Sequence, residues 1–342
     1  MIVFGLANGQ LYSRECRQKL PKDGKDVKSM DKSIINTVHI GKNKSSVAFI
    51  ILNYNDPDTT IYMVNNLCKW TQQEFYMHIV VIDNCSTDGS FEKLKIYYES
   101  EPKVDVIMSE YNGGYSYGNN YGSKFAIRCY EPDYIAIANP DIVVDENTVT
   151  ELLKTFSEDE NLLMCAPVMK DSEGKYRIRT QRVPSYIDDL TACFTDKSKT
   201  VRYDKFDYLN GRKNMILTEM LPGSFFVVRT KLFQRVGMLD EGVFLFCEER
   251  ILGYRMKQYG YKAVLRSDLY FIHKHGTSIG KAYKIVAARK MLLKSRCYYQ
   301  KVYNKCGLIK EIIFKGVSAL SLVYLYIKLF ASCLLRRVKK NH

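Results

Sequence analysis

The chain has 342 residues, 46% hydrophobic and 26% charged, which fits one large folded domain with appendages or two small ones and excludes a disordered chain. Its net charge is +14, but residues 281–342 carry fifteen Lys/Arg against one acid, Glu311, so the preceding body balances to zero. That distribution argues against a dispersed nucleic-acid surface and fits a tail that meets an anionic membrane.

Residues 1–45 read as a poorly ordered leader. Met1-Ile-Val-Phe-Gly-Leu-Ala7 is too short for a secretory signal core, and no cation precedes it. Lys/Gly/Asp-rich stretches follow with no sustained period. The ten cysteines form no C-x-x-C pair and no zinc-ligand spacing with histidines. In a chain of this size they read as reduced, mostly buried thiols of a cytosolic protein.

Val47–Leu52 is a continuous apolar run that ends at Asn53-Tyr-Asn55. Ile79–Ile82 ends at Asp83-Asn84, Val104–Met108 follows, and Tyr134–Ala138 ends at Asn139-Pro-Asp141. Such runs predict strands buried on both faces. Between the first two, Ile61, Val64, Leu67 and Cys68 have helical spacing, as do Phe91, Leu94 and Tyr97 in 90–100. Strands alternating with helices predict βαβ units and a mainly parallel sheet. Ligands of such sheets lie beyond the carboxyl ends of the strands, where Asn53, Asp83 and Asp141 fall.

Further along, 142–160 reads as helical, 165–220 resists assignment, and Leu221–Val228 reads as a turn into a buried strand. Helices are expected at Thr230–Val236 and Glu248–Tyr259, the second closed by Gly260. Ala263–Leu265 and Leu269–Ile272 read as two short strands.

Four segments carry candidate chemistry. Asp83-Asn-Cys-Ser-Thr-Asp-Gly-Ser90 reads either as a capped βα loop or as a loop whose Asp83 accepts a hydrogen bond from a pyrimidine base. Asn112–Gly122 packs four glycines and three asparagines into eleven residues, which suits a loop touching a polar ligand. It lacks the G-x-x-x-x-G-K-[ST] pattern, which argues against an ATPase. Asp141 offers one carboxylate to a hard cation, and His273 or His275 could complete the site. Glu248-Glu249 follows Phe244-Leu-Phe246. The pair reads as the acidic first turn of a helix, or as a general base with a raised pKa.

In this order and spacing these segments resemble the family 2 glycosyltransferases of GT-A fold, and among them the non-processive, rhamnosyltransferase-like members. The resemblance runs from Val47 to about Gly280. It rests on Asn53-Tyr-Asn55, Asp83-Asn-x-Ser-x-Asp-Gly-Ser90, Asn112-x-Gly-Tyr-x-x-Gly-Asn-Asn-x-Gly122, Asn139-Pro-Asp141, Pro222-Gly-Ser-Phe-Phe, Gly237-Met-Leu-Asp-Glu241, Glu248-Glu249, and His273 with Ser278. It implies a GT-A domain over 46–280 with a sheet flanked by helices, to which the charge pattern adds a basic helical tail over 281–342. It also implies that Asn53, Asn55, Asp83, Asn84, Asn112, Gly114, Asn120 and Asn139 hold the nucleotide-sugar donor. Asp141, with His273, would bind Mg²⁺ or Mn²⁺. Glu249 stands where the family has the Asp of a Glu-Asp pair, the catalytic base, with Glu248 as alternate.

The implied reaction is an inverting transfer of a sugar, rhamnose among the candidates, from a UDP- or dTDP-sugar to a glycan or polyprenyl-linked acceptor in surface polysaccharide synthesis. The family's processive synthases carry Gln-x-x-Arg-Trp. The only tryptophan here, Trp70, lies far upstream, so one or few sugars are expected per acceptor. Gly316–Leu335 holds one charge, Lys328, and precedes Arg336-Arg-Val-Lys-Lys340. It could span a bilayer, lie in its interface or be buried, and the site of action is expected to be the cytoplasmic face of the membrane. A sugar-nucleotide pyrophosphorylase should have a Gly- and Arg/Lys-bearing loop after its first strand, and 53–60 has none of these. A non-catalytic scaffold is the third reading, and Asp83, Asp141 and Glu249 count against it.

Overall fold

A computed structural model of the chain describes residues 44–71, 74–170, 182–194, 206–274 and 282–340, with short pieces at 5–7, 10–12, 174 and 176–177. In the leader, β1 (Gly5–Ala7) and β2 (Gln10–Tyr12) pair antiparallel, with Leu6 opposite Leu11.

The body starts with β3 (Ser45–Asn53), α1 (Pro57–Cys68), β4 (Phe75–Asp83), α2 (Ser90–Tyr97) and β5 (Val104–Met108). Asp56 caps α1 by accepting from the Thr59 N–H, and Pro57 fits the first turn, where no backbone N–H is needed. Next come α3 (Gly114–Tyr130), β6 (Tyr134–Ala138), β7 (Ile142–Val143) and α4 (Glu146–Thr155), the last capped by Asp145. The segment expected to be helical over 142–160 therefore begins as a short strand.

The stretch that resists assignment from sequence holds β8 (Leu162–Lys170), β9 (Tyr176–Arg177), α5 (Tyr186–Thr191) and β10 (Met215–Thr218). After these come β11 (Phe225–Arg229), α6 (Thr230–Arg235), α7 (Glu248–Gln258) and β12 (Lys262–His273). The two short strands expected near 263 and 272 form one strand whose register with β8 shifts between Arg266 and Tyr270. Two tail helices follow, α8 (Ala282–Val302) and α9 (Leu308–Lys340).

One sheet runs in the order β10-β12-β8-β11-β6-β3-β4-β5, with β7 on β12 and β9 on β8. Strands β6, β3, β4 and β5 are parallel, as are β8 and β12, while β11 runs antiparallel between β6 and β8. Each central strand is apolar throughout because both of its faces are covered. Val47, Phe49 and Ile51 enter one core, and Ala48 and Ile50 enter the other.

The glycines of α3 set its distance from the sheet. A Cβ at Gly122 would overlap Ile82, and one at Gly118 would overlap Leu52. The helix can approach this closely because those positions lack a side chain.

Candidate active site

The parallel register fixes which residues share one edge. Asn53 lies opposite Asp83, and Ile51 lies opposite Ala138, so Asn139-Pro-Asp141 leaves the sheet beside Asn53. Strand β11 enters at the same edge, because Phe225 pairs with Ala138 and the Asn139 N–H donates to the Ser224 carbonyl.

Asp83 and Asn53 are fully buried. The Asn53 amide donates to Asp83 Oδ2 at 2.7 Å and its oxygen accepts from Thr60 Oγ at 2.8 Å. The other Asp83 oxygen accepts from the Ser86 N–H at 2.7 Å. The pair therefore shapes the loop after β4, and residues 87–89 of that loop are exposed. Asn55, also exposed, accepts from the Thr87 N–H at 2.8 Å through its side chain. Its φ of 52° is left-handed, a conformation Asn tolerates better than most residues.

Asn112–Gly122 is not the loop expected from its glycines. From Gly114 onward it is the start of α3. Asn84 sits beneath it, 3% exposed, and donates to Asn112 Oδ1 at 3.0 Å and to the Gly114 carbonyl at 3.2 Å. Its oxygen accepts from Ser109 Oγ at 3.1 Å. Asn120 donates to the Leu239 carbonyl and to Glu241, and accepts from the Leu239 N–H. Its amide tethers α3 to residues 239–241. Gly114 has a φ of +87°, and a Cβ there would overlap the Phe244 carbonyl. That carbonyl accepts from the Tyr115 N–H at 2.9 Å.

Glu248 and Glu249 open α7, where a carboxylate meets the positive end of the helix dipole. Phe246 and Cys247, just before them, have φ of 70° and 75°. Two successive non-glycine residues in the left-handed region cost energy and mark a segment held by its surroundings. Holding it are Ser295 of α8, which donates to the Leu245 carbonyl at 2.7 Å, and Tyr115 through Phe244. Glu249 Oε1 accepts from the Gly223 N–H at 3.2 Å, and Tyr115 donates its hydroxyl to the Gly223 carbonyl. Burial raises the Glu249 pKa. Burial, and then the neighbouring Glu249 charge, raise that of Glu248, which is 4% exposed. Glu248 Oε1 has no hydrogen-bond partner among the described residues. The Tyr115 hydroxyl is held well above its usual pKa by burial and then by both glutamates, so it stays a donor.

Asp141 and His273 come together although β7 and β12 are far apart in sequence. Ile142 pairs with His273, and His273 Nε2 lies 3.1 Å from Asp141 Oδ1. Both side chains keep some exposure, 29% and 13%. A carboxylate beside an imidazole is a donor set that suits Mn²⁺, with diphosphate oxygens and water completing the shell. His275 and Ser278 lie outside the described residues. Among the described residues no three His, Cys, Asp or Glu gather into a metal cluster.

Gly223 lies in the motif Pro222-Gly-Ser-Phe-Phe, which does not itself announce the contact with Glu249. Another group at the site gives no sequence signal of its own. Asp189, 1% exposed, lies in the unassigned stretch and has no motif. It accepts from Arg250 at 2.8 Å through both oxygens and from Gln300 at 2.7 Å, with Arg296 at 3.5 Å. This buried cluster ties α5 and α8 to the residue after Glu249. Tyr298 of α8 and Tyr303 just past its end also bond Asp240, which pairs with Arg255. Helix α8 is therefore part of the body and not a free tail.

The profile of Glycosyl transferase family 2 matches residues 48–237, more than half of the chain. The chain is 26% identical over 271 residues to the uncharacterized glycosyltransferase YfnE of Bacillus subtilis, covering 69% of this chain and 66% of that protein. It is 24% identical over 214 residues to N-acetylglucosaminyl-diphospho-decaprenol L-rhamnosyltransferase of Mycobacterium tuberculosis, covering 59% and 68%. The chain thus spans about two thirds of the length of these relatives. The solved structure of GalNAc-T7 with UDP, GalNAc and Mn²⁺ superposes with a TM-score of 0.53 at 17% identity, over 71% of this chain and 46% of that one. Mannosyltransferase PcManGT of Pyrobaculum calidifontis, in complex with GDP-Man and Mn²⁺, gives 0.51 at 14% identity, over 86% and 76%. At these identities the two structures show a shared fold.

Proposed function

The chain belongs to glycosyl transferase family 2, and from that membership and its GT-A-type fold we propose an inverting glycosyltransferase that takes its sugar from a UDP- or dTDP-sugar. The observation that carries the proposal is Glu249. It has a raised pKa and partial exposure, and it is fixed by Gly223 at the edge where β3, β4 and β6 end.

In this reading the donor nucleotide lies over the rim made by Asn55, Asn112, Asn139 and the loop after Asp83. Asp83, Asn53 and Asn84 act from beneath by fixing that rim. Asp141 and His273 would hold Mg²⁺ or Mn²⁺, which supplies Lewis-acid stabilisation of diphosphate charge. Glu249 takes the proton of the acceptor hydroxyl as that oxygen attacks the anomeric carbon, and the bond from that carbon to the diphosphate oxygen breaks to release the nucleoside diphosphate. Burial keeps the base strong, while the Gly223 N–H orients it. Glu248 holds a proton beside it and limits the charge that accumulates there.

For localisation and acceptor, the support is α9. Leu308–Ser332 is long and apolar enough to cross a membrane, with a mean hydropathy of 1.6, and only 17% of its most apolar window is buried. One stripe, with Glu311, Phe314 and Ser321, is buried, and Ile309, Ile312, Leu320, Ile327 and Phe330 point outward. A helix with one face packed on the protein and an apolar outer face suits the plane of a membrane surface. We therefore propose that 46–280 carries the donor and base residues. Within 281–342, α8 closes the body and α9 holds it at the cytoplasmic face, within reach of a lipid-linked glycan acceptor.

The test is transfer of radiolabelled sugar from UDP- and dTDP-sugars into the organic-extractable fraction of bacterial membranes. Label should move with the intact chain and not with Glu249→Gln. Equal transfer by both would reject the assignment.

A further inference from the structure

Tyr115 bonds to two segments that support Glu249. Its backbone N–H donates to the Phe244 carbonyl at 2.9 Å, and its hydroxyl donates to the Gly223 carbonyl. The first contact anchors the stretch that enters α7 through Phe246 and Cys247, whose φ are 70° and 75°. The second falls on the residue whose N–H reaches Glu249 Oε1 at 3.2 Å. Three residues before Tyr115, Asn112 stands on the rim assigned to the donor, where its Oδ1 accepts from Asn84 and from the Gly114 N–H. One short run of chain, 112–115, thus meets the donor rim, the approach to the base and the turn that orients the base.

Gly223 is the part of this arrangement that needs holding. A Cβ there would lie 2.4 Å from Glu249 Oε1, so only a glycine lets the carboxylate reach the N–H. The same glycine leaves the backbone free to turn about both of its dihedrals. The Tyr115 hydroxyl fixes its carbonyl, and the next carbonyl, that of Ser224, accepts from the Asn139 N–H at 2.8 Å. The Tyr115 ring packs against the core that contains Ala48 and Ile50, so ring and hydroxyl have separate tasks. Burial and then both glutamates keep the hydroxyl protonated, which makes it a donor throughout the range in which a carboxylate base titrates.

We propose that Tyr115 is a positioning residue: its hydroxyl, by fixing the Gly223 carbonyl, sets the Gly223 N–H that aims Glu249 at the acceptor oxygen. The inference rests on the glycosyltransferase reading and deepens it, because it ties placement of the base to the donor rim. Glu249 interacts electrostatically with Glu248 and Arg250 on α7 and with Tyr115 on α3. The bond from the Gly223 N–H favours its charged form and lowers its pKa. Loss of that bond raises the pKa of the base and misplaces it, while the donor rim stays intact.

The test compares Tyr115→Phe and Gly223→Ala with the wild-type chain. The first removes the hydroxyl and keeps the packed ring. The second keeps the hydroxyl and displaces the Glu249 carboxylate, the movable end of a side chain, with a methyl group. Transfer of radiolabelled sugar from UDP- and dTDP-sugars to bacterial membranes is followed against pH, and binding of UDP and dTDP with Mn²⁺ is measured in parallel. In both variants kcat should fall by about tenfold or more, with the donor KM and the nucleotide affinity unchanged. The rising limb of the rate should move to higher pH by about half a unit or more. A wild-type limb in Tyr115→Phe, at whatever rate, overturns the proposal, because a residue that only stabilises the fold leaves the pKa of the base alone. Weaker nucleotide binding by Tyr115→Phe overturns it by placing Tyr115 in the donor site, and failure of that variant to fold overturns it by giving the hydroxyl to the fold. A shift in Gly223→Ala alone overturns it as well, since Gly223 would then orient Glu249 without Tyr115. If the folded wild-type chain neither binds these nucleotides nor transfers sugar, the transferase reading fails and this inference with it. If it transfers sugar and Tyr115→Phe matches it in rate and limb, this inference alone fails.

Discussion

Asp141 and His273, 132 positions apart, face each other at 3.1 Å because β7 pairs with the end of β12. In the proposed reading this carboxylate and imidazole hold the divalent cation together with the donor diphosphate. Asp141→Ala should weaken Mn²⁺-dependent binding of a nucleoside diphosphate by about tenfold or more, the scale seen when groups around a metal are altered. Isothermal calorimetry with and without Mn²⁺ checks it. Unchanged affinity would remove Asp141 from the metal site.

Glu249 differs from an ordinary helix-start glutamate because Gly223 holds it and burial raises its pKa. Glu249→Gln should keep donor binding and lower turnover by about 10²–10⁴-fold, the range for a general base. The wild-type rate should rise with pH above the ordinary carboxylate range, since the base acts deprotonated. A rate that is flat across that range, or an active Gln variant, would move the base to Glu248.

Glu248 bears on stability as well. Burial and the Glu249 charge raise its pKa, so the folded chain holds this proton more tightly than the unfolded chain does. That contribution is present below the usual glutamate pKa and is lost as pH rises through the raised value. The wild-type Tm should therefore fall over that window, and Glu248→Gln should flatten the fall. Parallel Tm–pH curves for the two proteins would contradict this.

Two glycines predict opposite signs. Gly122→Ala puts a methyl into Ile82 and Ile50, and should cost about 1–3 kcal/mol by overpacking. Gly316→Ala on α9 meets nothing within 4 Å and should stabilise by up to about 1 kcal/mol through helix propensity. Thermal denaturation of both variants reads the difference.

Much of the parallel half of the sheet was legible in the sequence because its strands are buried on both faces and read as unbroken apolar runs. The strand-end positions of Asn53, Asp83 and Asp141 followed from those runs. Asn112–Gly122 misled for a physical reason. Its glycines permit close packing of a helix on Leu52 and Ile82, and such glycines look like those of a ligand loop. The tether that Asn120 makes to Leu239 and Glu241 was not legible either, since a buried tether and a ligand contact use the same amide. The stretch 165–220 was opaque because β8, β10 and α5 are joined by segments without periodicity, and Asp189 matters only through partners on α7 and α8. Charge set 281–342 apart as a tail, yet Tyr299 is fully buried. Basic residues on α8 such as Arg296 are spent on that packing.

The most direct test of the account is calorimetric titration of the full chain with UDP and dTDP in the presence and absence of Mn²⁺. Saturable, Mn²⁺-dependent binding of at least one of them is predicted, and it would identify the base of the donor. A folded chain that binds neither nucleotide under either condition would contradict the glycosyltransferase assignment.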